Sequence, residues 1–430
     1  MLHDGQSIRV AVVGGLRIPF CRAHSVYSGC SNKDMMTATL SALVNKYDLK
    51  GQTLGDVALG AVIKHSRDWN LARESVIGSG LSLETPAFDL QRACGTSIEA
   101  CIQIANKIAL GQIDAGIAGG TDSISDAPIV YRDNFRKNLL DIYNSKSVMK
   151  KILPWFKFRP SHFVPEFPSV VEPRTGLSMG ESMEITAKEW EVSREHQDQF
   201  ALSSHLNAAN AYEEGFYDDL VIPYKGAKED NNIRRDTSYL KLAALKPVFD
   251  KDKGGTMTPG NSTPLTDGAA GLLLASEDWA KQKNLPVIAY ITFLKVAAVN
   301  FIEVDGLLMA PVFAVSDILK KARLRLQDFD FYEIHEAFAA QTIATLKAWQ
   351  SEQFCRARLN RNNPLGSIEL AKLNVKGGSI ALGHPFAATG ARVVATMAKL
   401  LHEKGSGRGL VSVCTAGGMG IAAIMEAAEK

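Results

Sequence analysis

The chain has 430 residues, enough for two or three structural units around a sizeable core. A hydrophobic share of 46%, a charged share of 22% and 35 glycines without a repeat period exclude collagen-like and low-complexity classes. The formal net charge of +2 provides no overall attraction to nucleic acid, so no nucleic-acid partner is expected.

Cysteine usage and hydropathy indicate the compartment. The 6 cysteines are too sparse for a disulfide framework and include no CxxC pair, so neither a disulfide scaffold nor a zinc ribbon is expected. Reduced thiols are typical of a reducing compartment, and no apolar run reaches the roughly 18 residues of a membrane-spanning helix. We therefore expect a cytoplasmic protein, at most peripheral to a membrane.

The first third of the chain alternates between strand-like and helical patterns. Residues 8–13 are an apolar run typical of a buried strand. Residues 95–110 carry apolar side chains at helical spacing, which predicts a largely buried helix, and the strand-like run 114–118 follows. This alternation indicates a layered α/β architecture.

The last third repeats the same order of elements. A helix is predicted over 390–403, followed by a strand over 410–413 that ends at Cys414 and a glycine-rich turn. The residues after that turn, 418–423, are predicted to open a further helix. The repetition of helix, strand and glycine turn indicates a duplicated fold.

The middle of the chain differs in composition from both ends. Residues 125–246 concentrate prolines and aromatic clusters, together with a polar helix predicted over 193–214. We interpret 125–246 as an inserted loop domain. The N-terminal half then comprises 1–124 and 247–283, and the C-terminal half comprises 284–430.

Cys94 lies between a strand-like run and the start of the predicted helix 95–110. A thiol at a helix amino terminus feels the positive end of the helix dipole, which favours a nucleophilic thiolate, and backbone amides there suit a developing oxyanion. The competing interpretation is a buried structural thiol, the commoner role for a single cysteine. The residue alone leaves both interpretations open.

Two histidines lie in short motifs that suit catalysis. His384 stands between Gly383 and Pro385, where the restrained backbone would hold a base beside a nucleophile; the alternative is a histidine that caps the following helix. His335 opens the sequence His-Glu-Ala-Phe after a strand-like run. The alternative for His335 and Glu336 is surface charge at a helix start.

Four motifs together resemble the thiolase family. They are Cys94 at its helix start, His-Glu-Ala-Phe from His335, Gly-His-Pro around His384, and Cys-Thr-Ala-Gly-Gly from Cys414. Their order and spacing match that family over nearly the whole chain. The resemblance implies two βαβαβαββ halves stacked as a five-layered α/β sandwich, with an inserted loop domain that helps to bind coenzyme A.

The resemblance implies a role for each motif. Cys94 is similar to the nucleophile that takes the acyl group, and His384 to the base that activates it. Cys414 is similar to the cysteine that acts as acid and base. One oxyanion hole is implied for the backbone amides of Cys94 and Ala416, and another for the His384 ring with a water held by His335. Implied contacts with coenzyme A lie at three positions: Met179, Thr263 and Gly417.

Two residues depart from the usual family pattern. His335 stands where most thiolases have an asparagine, and a neutral histidine would still donate one hydrogen bond, whereas a charged one would change the site. Ala416 stands where a glycine is usual, and a positive φ there would cost alanine about 1 kcal/mol or more. This combination resembles the β-subunits of fatty-acid β-oxidation complexes.

The implied reaction is thiolysis of a 3-ketoacyl-CoA by coenzyme A through an acyl-cysteine, in a ping-pong scheme. No metal and no cofactor is expected, since coenzyme A is a substrate. The resemblance also implies a homodimer and a hydratase–dehydrogenase α-subunit as partner. The alternatives are a ketoacyl synthase-like condensing enzyme and a catalytically silent acyl-CoA-binding scaffold subunit.

Residues 132–159 form a segment that we call the basic aromatic segment. It is rich in Lys and Arg, with Asp133 and Asp141 as its acidic residues, and it interleaves aromatic and aliphatic side chains. Such a composition suits a membrane interface or a partner surface, while the alternative is a solvated helix packed on the sandwich. We expect a docking surface outside the active site.

Overall fold

The computed structural model describes residues 8–168, 171–251 and 254–428. Its strands are β1 (Val10–Arg17), β2 (Cys21–Arg22), β3 (Asp56–Leu59), β4 (Ala87–Asp89), β5 (Ala115–Asp122), β6 (Val130–Tyr131), β7 (Pro165–Glu166), β8 (Thr266–Ser276), β9 (Ala289–Ala298), β10 (Phe331–Ile334), β11 (Arg408–Thr415) and β12 (Met419–Ala427). Its α-helices are α1 (Asn32–Lys46), α2 (Leu71–Ser79), α3 (Thr96–Ala109), α4 (Asp133–Asn144), α5 (Val148–Ile152), α6 (Met179–Glu189), α7 (Arg194–Glu213), α8 (Tyr239–Ala243), α9 (Glu277–Gln282), α10 (Ala310–Ala322), α11 (Ala339–Gln350), α12 (Glu352–Arg358), α13 (Ser379–Leu382) and α14 (Thr389–Lys404).

The large sheet has the strand order β10-β11-β12-β9-β1-β8-β5-β3-β4, with β2 paired to β8. Its two halves repeat one pattern outward from the centre, where β1 and β9 pair antiparallel at Val10 and Ile291. In the N-terminal half β1 pairs with β8, and β8 pairs antiparallel with β5. In the C-terminal half β9 pairs with β12 in the same way, and β12 pairs antiparallel with β11. A parallel neighbour (β3 or β10) then follows. The sheet topology therefore confirms a duplicated α/β fold.

The helices form three layers around this sheet. Helices α3 and α14 lie together in a central core, in which Ile104 and Val393 pack with side chains from strands of both halves, such as Val411. Helix α1 covers the outer face of the N-terminal half, and α10 covers the outer face of the C-terminal half. Alternating residues of one strand therefore point into different cores, which is what the predicted five-layered sandwich requires.

The residues after the glycine turn form a strand, so the predicted helix over 418–423 is wrong. Strand β12 pairs antiparallel with β11 on one side and with β9 on the other. A short apolar run is compatible with either a buried helix or a buried strand, because its periodicity does not separate the two. The pairing with β9, more than a hundred residues away in sequence, decides the conformation.

The middle of the chain contains α4 to α8 and the small β6–β7 pair, and α7 lies within the predicted polar helix 193–214. A buried ion pair ties this region to the sheet: Arg17 of β1 donates to both carboxylate oxygens of Asp230, at 2.5 and 2.6 Å. The boundaries of the inserted domain stay a prediction. Across the described ranges, no helix has the combined length and apolar character that crossing a bilayer demands.

Candidate active site

Cys94 stands at the apex of a tight turn between β4 and α3. The amide of Gly95 donates to the carbonyl of Arg92, and the amide of Thr96 donates to that of Ala93, at 2.9 and 3.0 Å. Ala93 adopts φ of +43°, in the left-handed region that non-glycine residues avoid. Strain of this kind persists where surrounding contacts hold it, and it is concentrated at functional sites.

The Cys94 thiol is largely removed from water. Burial raises the pKa of this thiol to about 12, although the backbone amides of Ala416 and of Cys94 itself donate hydrogen bonds to its sulfur. Burial therefore outweighs the helix dipole, and the resting group at neutral pH is a thiol. A base is needed to remove its proton. The two amides that face the sulfur are those predicted to form an oxyanion hole.

His384 is held at both its backbone and its ring. Its backbone bridges to Leu265, and its Nδ1 lies 2.6 Å from the hydroxyl of Thr389 at the start of α14. When Nδ1–H donates to that hydroxyl, Nε2 keeps the lone pair that a base requires. Burial, helped by the positive charge of Arg392, lowers the pKa of His384 to about 3, so the ring is neutral at physiological pH.

Three loops meet at the start of α3. The amide of Ala391 donates to the hydroxyl of Ser97 at 2.8 Å, so the start of α14 touches the start of α3. A methyl group in place of the Gly95 hydrogen would lie 2.8 Å from Thr415 Cγ2, so the β11–β12 turn also contacts this point. The segments that carry Cys94, His384 and Cys414 therefore converge, although they are distant in sequence.

Cys414 lies near the end of β11 and is 2% exposed. Burial and the neighbouring Cys94 raise the pKa of its thiol, and the backbone amide of Ala337 donates a hydrogen bond to its sulfur. Since Ala337 belongs to the His-Glu-Ala-Phe sequence, Cys414 lies between Cys94 and the His335 motif. Two protonated thiols and two neutral imidazoles therefore share one buried region.

His335 directly follows β10 and is fully buried. Its Nδ1 lies 2.8 Å from the hydroxyl of Ser379, and its Nε2 has no hydrogen-bond partner among the described residues. Burial and the charge of Arg392 lower the pKa of His335 well below its usual range. The ring is therefore neutral, which is the state in which it would replace an asparagine as a hydrogen-bond donor.

Comparison with known proteins agrees with this geometry. The family profile "Thiolase, N-terminal domain" matches residues 10–278, and "Thiolase, C-terminal domain" matches residues 285–427. The chain belongs to the thiolase family. The predicted membership is thus confirmed, and the thiolase is an acyltransferase as expected.

Individual thiolases resemble the chain over nearly its full length. It is 39% identical over 427 residues to the 3-ketoacyl-CoA thiolase of Yersinia pestis (strain Pestoides F), covering 98% of this chain and 97% of that protein. The human mitochondrial 3-ketoacyl-CoA thiolase in complex with CoA has a TM-score of 0.81 at 28% identity, covering 98% of both chains. The Bacillus anthracis acetyl-CoA acetyltransferase has a TM-score of 0.83 at 28% identity, covering 99% of this chain and 100% of that chain.

Glu336 is a buried structural carboxylate in this thiolase, so its interpretation as surface charge at a helix start is wrong. It accepts hydrogen bonds from Ser204 Oγ at 2.7 Å, Asn374 Nδ2 at 2.7 Å and the amide of Ile380 at 3.1 Å. Helix α11 begins only at Ala339. The carboxylate instead joins α7, α13 and the segment before α13, because its oxygens satisfy donors from all three.

Ala416 avoids the backbone cost expected for it. The residues of the β11–β12 turn with positive φ are Gly417, at +76°, and Gly418, at +68°. Alanine is therefore compatible with its position, and its amide stays directed at Cys94. The amide of Gly417 donates to Glu172 Oε1 at 2.6 Å. Gly417, which is predicted to contact coenzyme A, therefore has its amide hydrogen-bonded to a carboxylate.

The structure also describes the other two residues that are predicted to contact coenzyme A. The amide and the hydroxyl of Thr263 donate to the carbonyl of Ala337, at 3.2 and 3.0 Å. Met179 is the first residue of α6 and is partly buried against the C-terminal core. Contact of Met179, Thr263 and Gly417 with coenzyme A stays a prediction.

The side chains that hold the two histidines were not predicted from the sequence. Thr389 bonds His384, and Ser379 bonds His335. Arg392 in turn donates to Ser379, and it forms an ion pair with Glu333 inside the protein. The positions of serine, threonine, arginine and glutamate residues along the sequence do not show which of them contact each other or the histidines in the fold. Only the hydroxyl residue soon after the Gly-His-Pro sequence offered a local hint.

Proposed function

We propose that this protein catalyses the thiolysis of 3-ketoacyl-CoA by coenzyme A, giving acetyl-CoA and a shortened acyl-CoA, as a 3-ketoacyl-CoA thiolase in fatty-acid β-oxidation. The observation that carries the proposal is the convergence of a half-buried thiol, Cys94, and a buried one, Cys414, with two neutral imidazoles, His335 and His384. Such a set supplies a nucleophile, a base and a separate proton donor. The names of the related thiolases support the substrate class.

The first half of the proposed reaction acylates Cys94. His384 Nε2 takes the proton of the Cys94 thiol, and the thiolate attacks the 3-keto carbon of the substrate. The amides of Cys94 and Ala416 stabilise the oxyanion that forms. The bond between carbons 2 and 3 then breaks, leaving the acyl chain on Cys94. Cys414 gives its proton to carbon 2 of the departing enolate, which becomes acetyl-CoA.

The second half releases the shortened acyl chain. The Cys414 thiolate takes the proton of the coenzyme A thiol, and the new thiolate attacks the acyl carbon on Cys94. The carbon–sulfur bond to Cys94 breaks, and Cys94 recovers its proton from His384. Both cysteines and the histidine thus return to their starting states, and the scheme uses no metal or redox cofactor.

Mass spectrometry tests this proposal directly. Brief exposure of the protein to 3-ketoacyl-CoA without coenzyme A should add one shortened acyl group to Cys94, and added coenzyme A should remove it. A ketoacyl synthase-like enzyme would require an acyl carrier protein for transfer. A silent scaffold subunit would acquire no acyl group, and that result would overturn the proposal.

We propose that the protein forms a homodimer through the edge of the sheet at β4. This strand pairs with β3 on one side, and α2 packs beside it. Trp69 and Leu83, near this edge, are 76% and 63% exposed. An open edge with exposed apolar side chains suits pairing with a second copy.

Sedimentation velocity tests the dimer. Leu83→Glu should shift the protein towards a monomer, while Leu370→Glu, at a residue 67% exposed elsewhere on the surface, should leave the dimer intact. A monomeric unmodified protein, or equal dissociation in both variants, would overturn this assignment.

We also propose that the basic aromatic segment contacts anionic lipid. Phe135 is the buried centre of its aromatic cluster, with edge-on rings from Phe158 and Phe163. Outside that cluster most apolar side chains of the segment face solvent, including Tyr143 at 82% and Phe156 at 83% exposure, while Leu139 and Ile142 are half-buried. A helix that merely packs on the sandwich would bury these side chains, so the exposure favours an interface.

Charge reversal tests this contact. Replacing Lys146, Lys150 and Lys151 with Glu should weaken co-sedimentation with phosphatidylglycerol vesicles more than about a hundredfold, at about 1 kcal/mol per basic residue. The side chain of Lys157 lies outside the described part of the chain. Reversal of three exposed lysines elsewhere is the matched control: Lys50, Lys320 and Lys321. Unchanged vesicle binding would overturn the lipid assignment.

The resemblance to β-oxidation β-subunits supports a hydratase–dehydrogenase α-subunit as partner in the cytoplasm. The same lysine variant separates this partner from lipid. Loss of capture by immobilised α-subunit, with vesicle binding unchanged, would assign the basic aromatic segment to the protein partner instead.

A further inference from the structure

We infer that Ser379 and Arg392 fix the tautomer of His335, so that its Nε2–H points into the active site as a permanent hydrogen-bond donor. In this arrangement Ser379 and Arg392 are positioning residues, since they act through the histidine. The inference deepens the proposed thiolase reaction and rests on it for its kinetic test.

The direction of the hydrogen bonds follows from the chemistry of the partners. Arg392 Nη2 lies 2.7 Å from Ser379 Oγ, and a guanidinium has no acceptor, so this bond uses a lone pair of the serine oxygen. The serine hydroxyl has one hydrogen to donate, and its remaining neighbour is His335 Nδ1 at 2.8 Å. Nδ1 is therefore the acceptor, and in the neutral ring the proton resides on Nε2.

The reverse tautomer would leave one further group, the Ser379 hydroxyl hydrogen, unsatisfied. If Nδ1 carried the proton, Ser379 Oγ would receive two donors, and its own hydrogen would have no acceptor. Unsatisfied buried polar groups cost about 1–3 kcal/mol each, which strongly favours the Nε2–H form. His335 Nε2 itself is buried and has no partner within the part of the chain that the structure describes, so its hydrogen is available to a substrate oxygen or to a water.

Arg392 is held in place from its other side. It pairs with Glu333 at 3.5 Å, and both side chains are 1% exposed. Glu333 lies on β10 two residues before His335, whereas Arg392 lies on α14 and Ser379 opens α13. The network therefore spans three elements and leaves the serine no freedom to turn its hydroxyl elsewhere. An asparagine at position 335 would need no such network, because an amide has a fixed donor.

Solid-state ¹⁵N NMR of protein labelled with [¹⁵N]histidine tests the assignment without any activity. The spectrum of the His335→Asn variant identifies the His335 signals by difference. We expect a protonated Nε2 and an unprotonated Nδ1 in the unmodified protein, and loss of this single tautomer in Ser379→Ala. A protonated Nδ1, or an imidazolium, in the unmodified protein would overturn the inference.

A double-mutant cycle tests the positioning role in catalysis. Ser379→Ala should lower kcat for thiolysis about ten- to hundredfold with little change in KM, less than the loss of a whole oxyanion donor. In the His335→Asn background the same change should cost less than about twofold, because asparagine has no tautomer to set. Ser379→Thr, which keeps the hydroxyl, should retain the tautomer.

The outcomes separate the two proposals. Equal losses from Ser379→Ala in both backgrounds would mean that the serine acts through packing, which overturns the positioning role. An unmodified protein that shows the Nε2–H tautomer but no thiolysis would overturn the proposed function and leave the tautomer assignment standing.

Discussion

The imidazole rings of His335 and His384 lie with their centroids 4.2 Å apart and their planes inclined by 47°. Two charged rings at this distance would repel each other strongly, yet both are buried beside the guanidinium of Arg392. Burial and that charge lower both pKa values, so the rings remain neutral together. In the proposed reaction one imidazole serves as a base and the other as a donor, and each ring is hydrogen-bonded to its own hydroxyl partner.

Removal of the nucleophilic thiol should abolish acylation without unfolding the protein. Cys94→Ala is expected to keep its circular dichroism spectrum and to form no acyl adduct with 3-ketoacyl-CoA. Cys101→Ala, seven residues further along the chain and within α3, is the matched control and should still be acylated at Cys94. An adduct on Cys21, Cys101 or Cys414 in the unmodified protein would contradict the assignment.

The pH dependence of Cys94 alkylation should show that the Cys94 thiol and the His384 imidazole are both uncharged near neutral pH. Since the pKa of His384 is about 3 and that of Cys94 about 12, the protonation of both groups is constant from about pH 5 to pH 9. Alkylation by iodoacetamide should therefore vary little across that range. In His384→Ala it should be slower at neutral pH and rise about tenfold per pH unit with the thiolate fraction. An inflection between about pH 6 and pH 8 in the unmodified protein would argue against this pair.

Cys414 should matter for turnover and not for the reactivity of Cys94. Cys414→Ala is expected to change Cys94 alkylation less than about twofold, because His384 is the group that takes the Cys94 proton. Thiolysis should fall about 10²- to 10⁴-fold, as for the loss of a general acid–base group. If Cys414→Ala and His384→Ala reduced alkylation equally, this division of roles would fail.

His335→Asn should keep thiolysis within about tenfold of the unmodified protein, since an amide donates to the same water. His335→Ala, which removes the donor, should lose about 10²- to 10³-fold in kcat. Steady-state kinetics of the two variants side by side give the comparison. A loss in His335→Asn as deep as in Cys94→Ala would indicate a direct chemical role for the imidazole.

Glu336 should contribute to stability through its acceptors. Glu336→Gln replaces one accepting oxygen by an NH2 group, which meets a donor in either orientation of the amide: the Nδ2 of Asn374 on one side or the amide of Ile380 on the other. We expect the free energy of unfolding to fall by about 1–3 kcal/mol in chemical denaturation. Glu352→Gln is the control, since that exposed residue pairs with Arg356 at the surface, and should change stability by less than about 0.5 kcal/mol. Equal effects in the two variants would refute this role.

The sequence by itself determined the α/β architecture and pointed to the candidate reacting groups. Apolar periodicity is a local property, so the alternation of α3 with β5 and of α14 with β11 was readable from the chain. The motifs around Cys94, His384 and Cys414 are likewise local, and each combines a reactive side chain with residues that restrain its backbone.

The tertiary structure decided what depends on distant partners. Residues 419–427 become a strand because β9 and β11 offer pairing on both sides, and Glu336 is buried because donors from separate helices surround it. The protonation states follow the same rule. Cys94 stays a thiol because packing removes water from it, and His335 keeps one tautomer because Ser379, held by Arg392, lies against its ring. Desolvation and hydrogen-bond direction arise only when the folded chain brings these groups together.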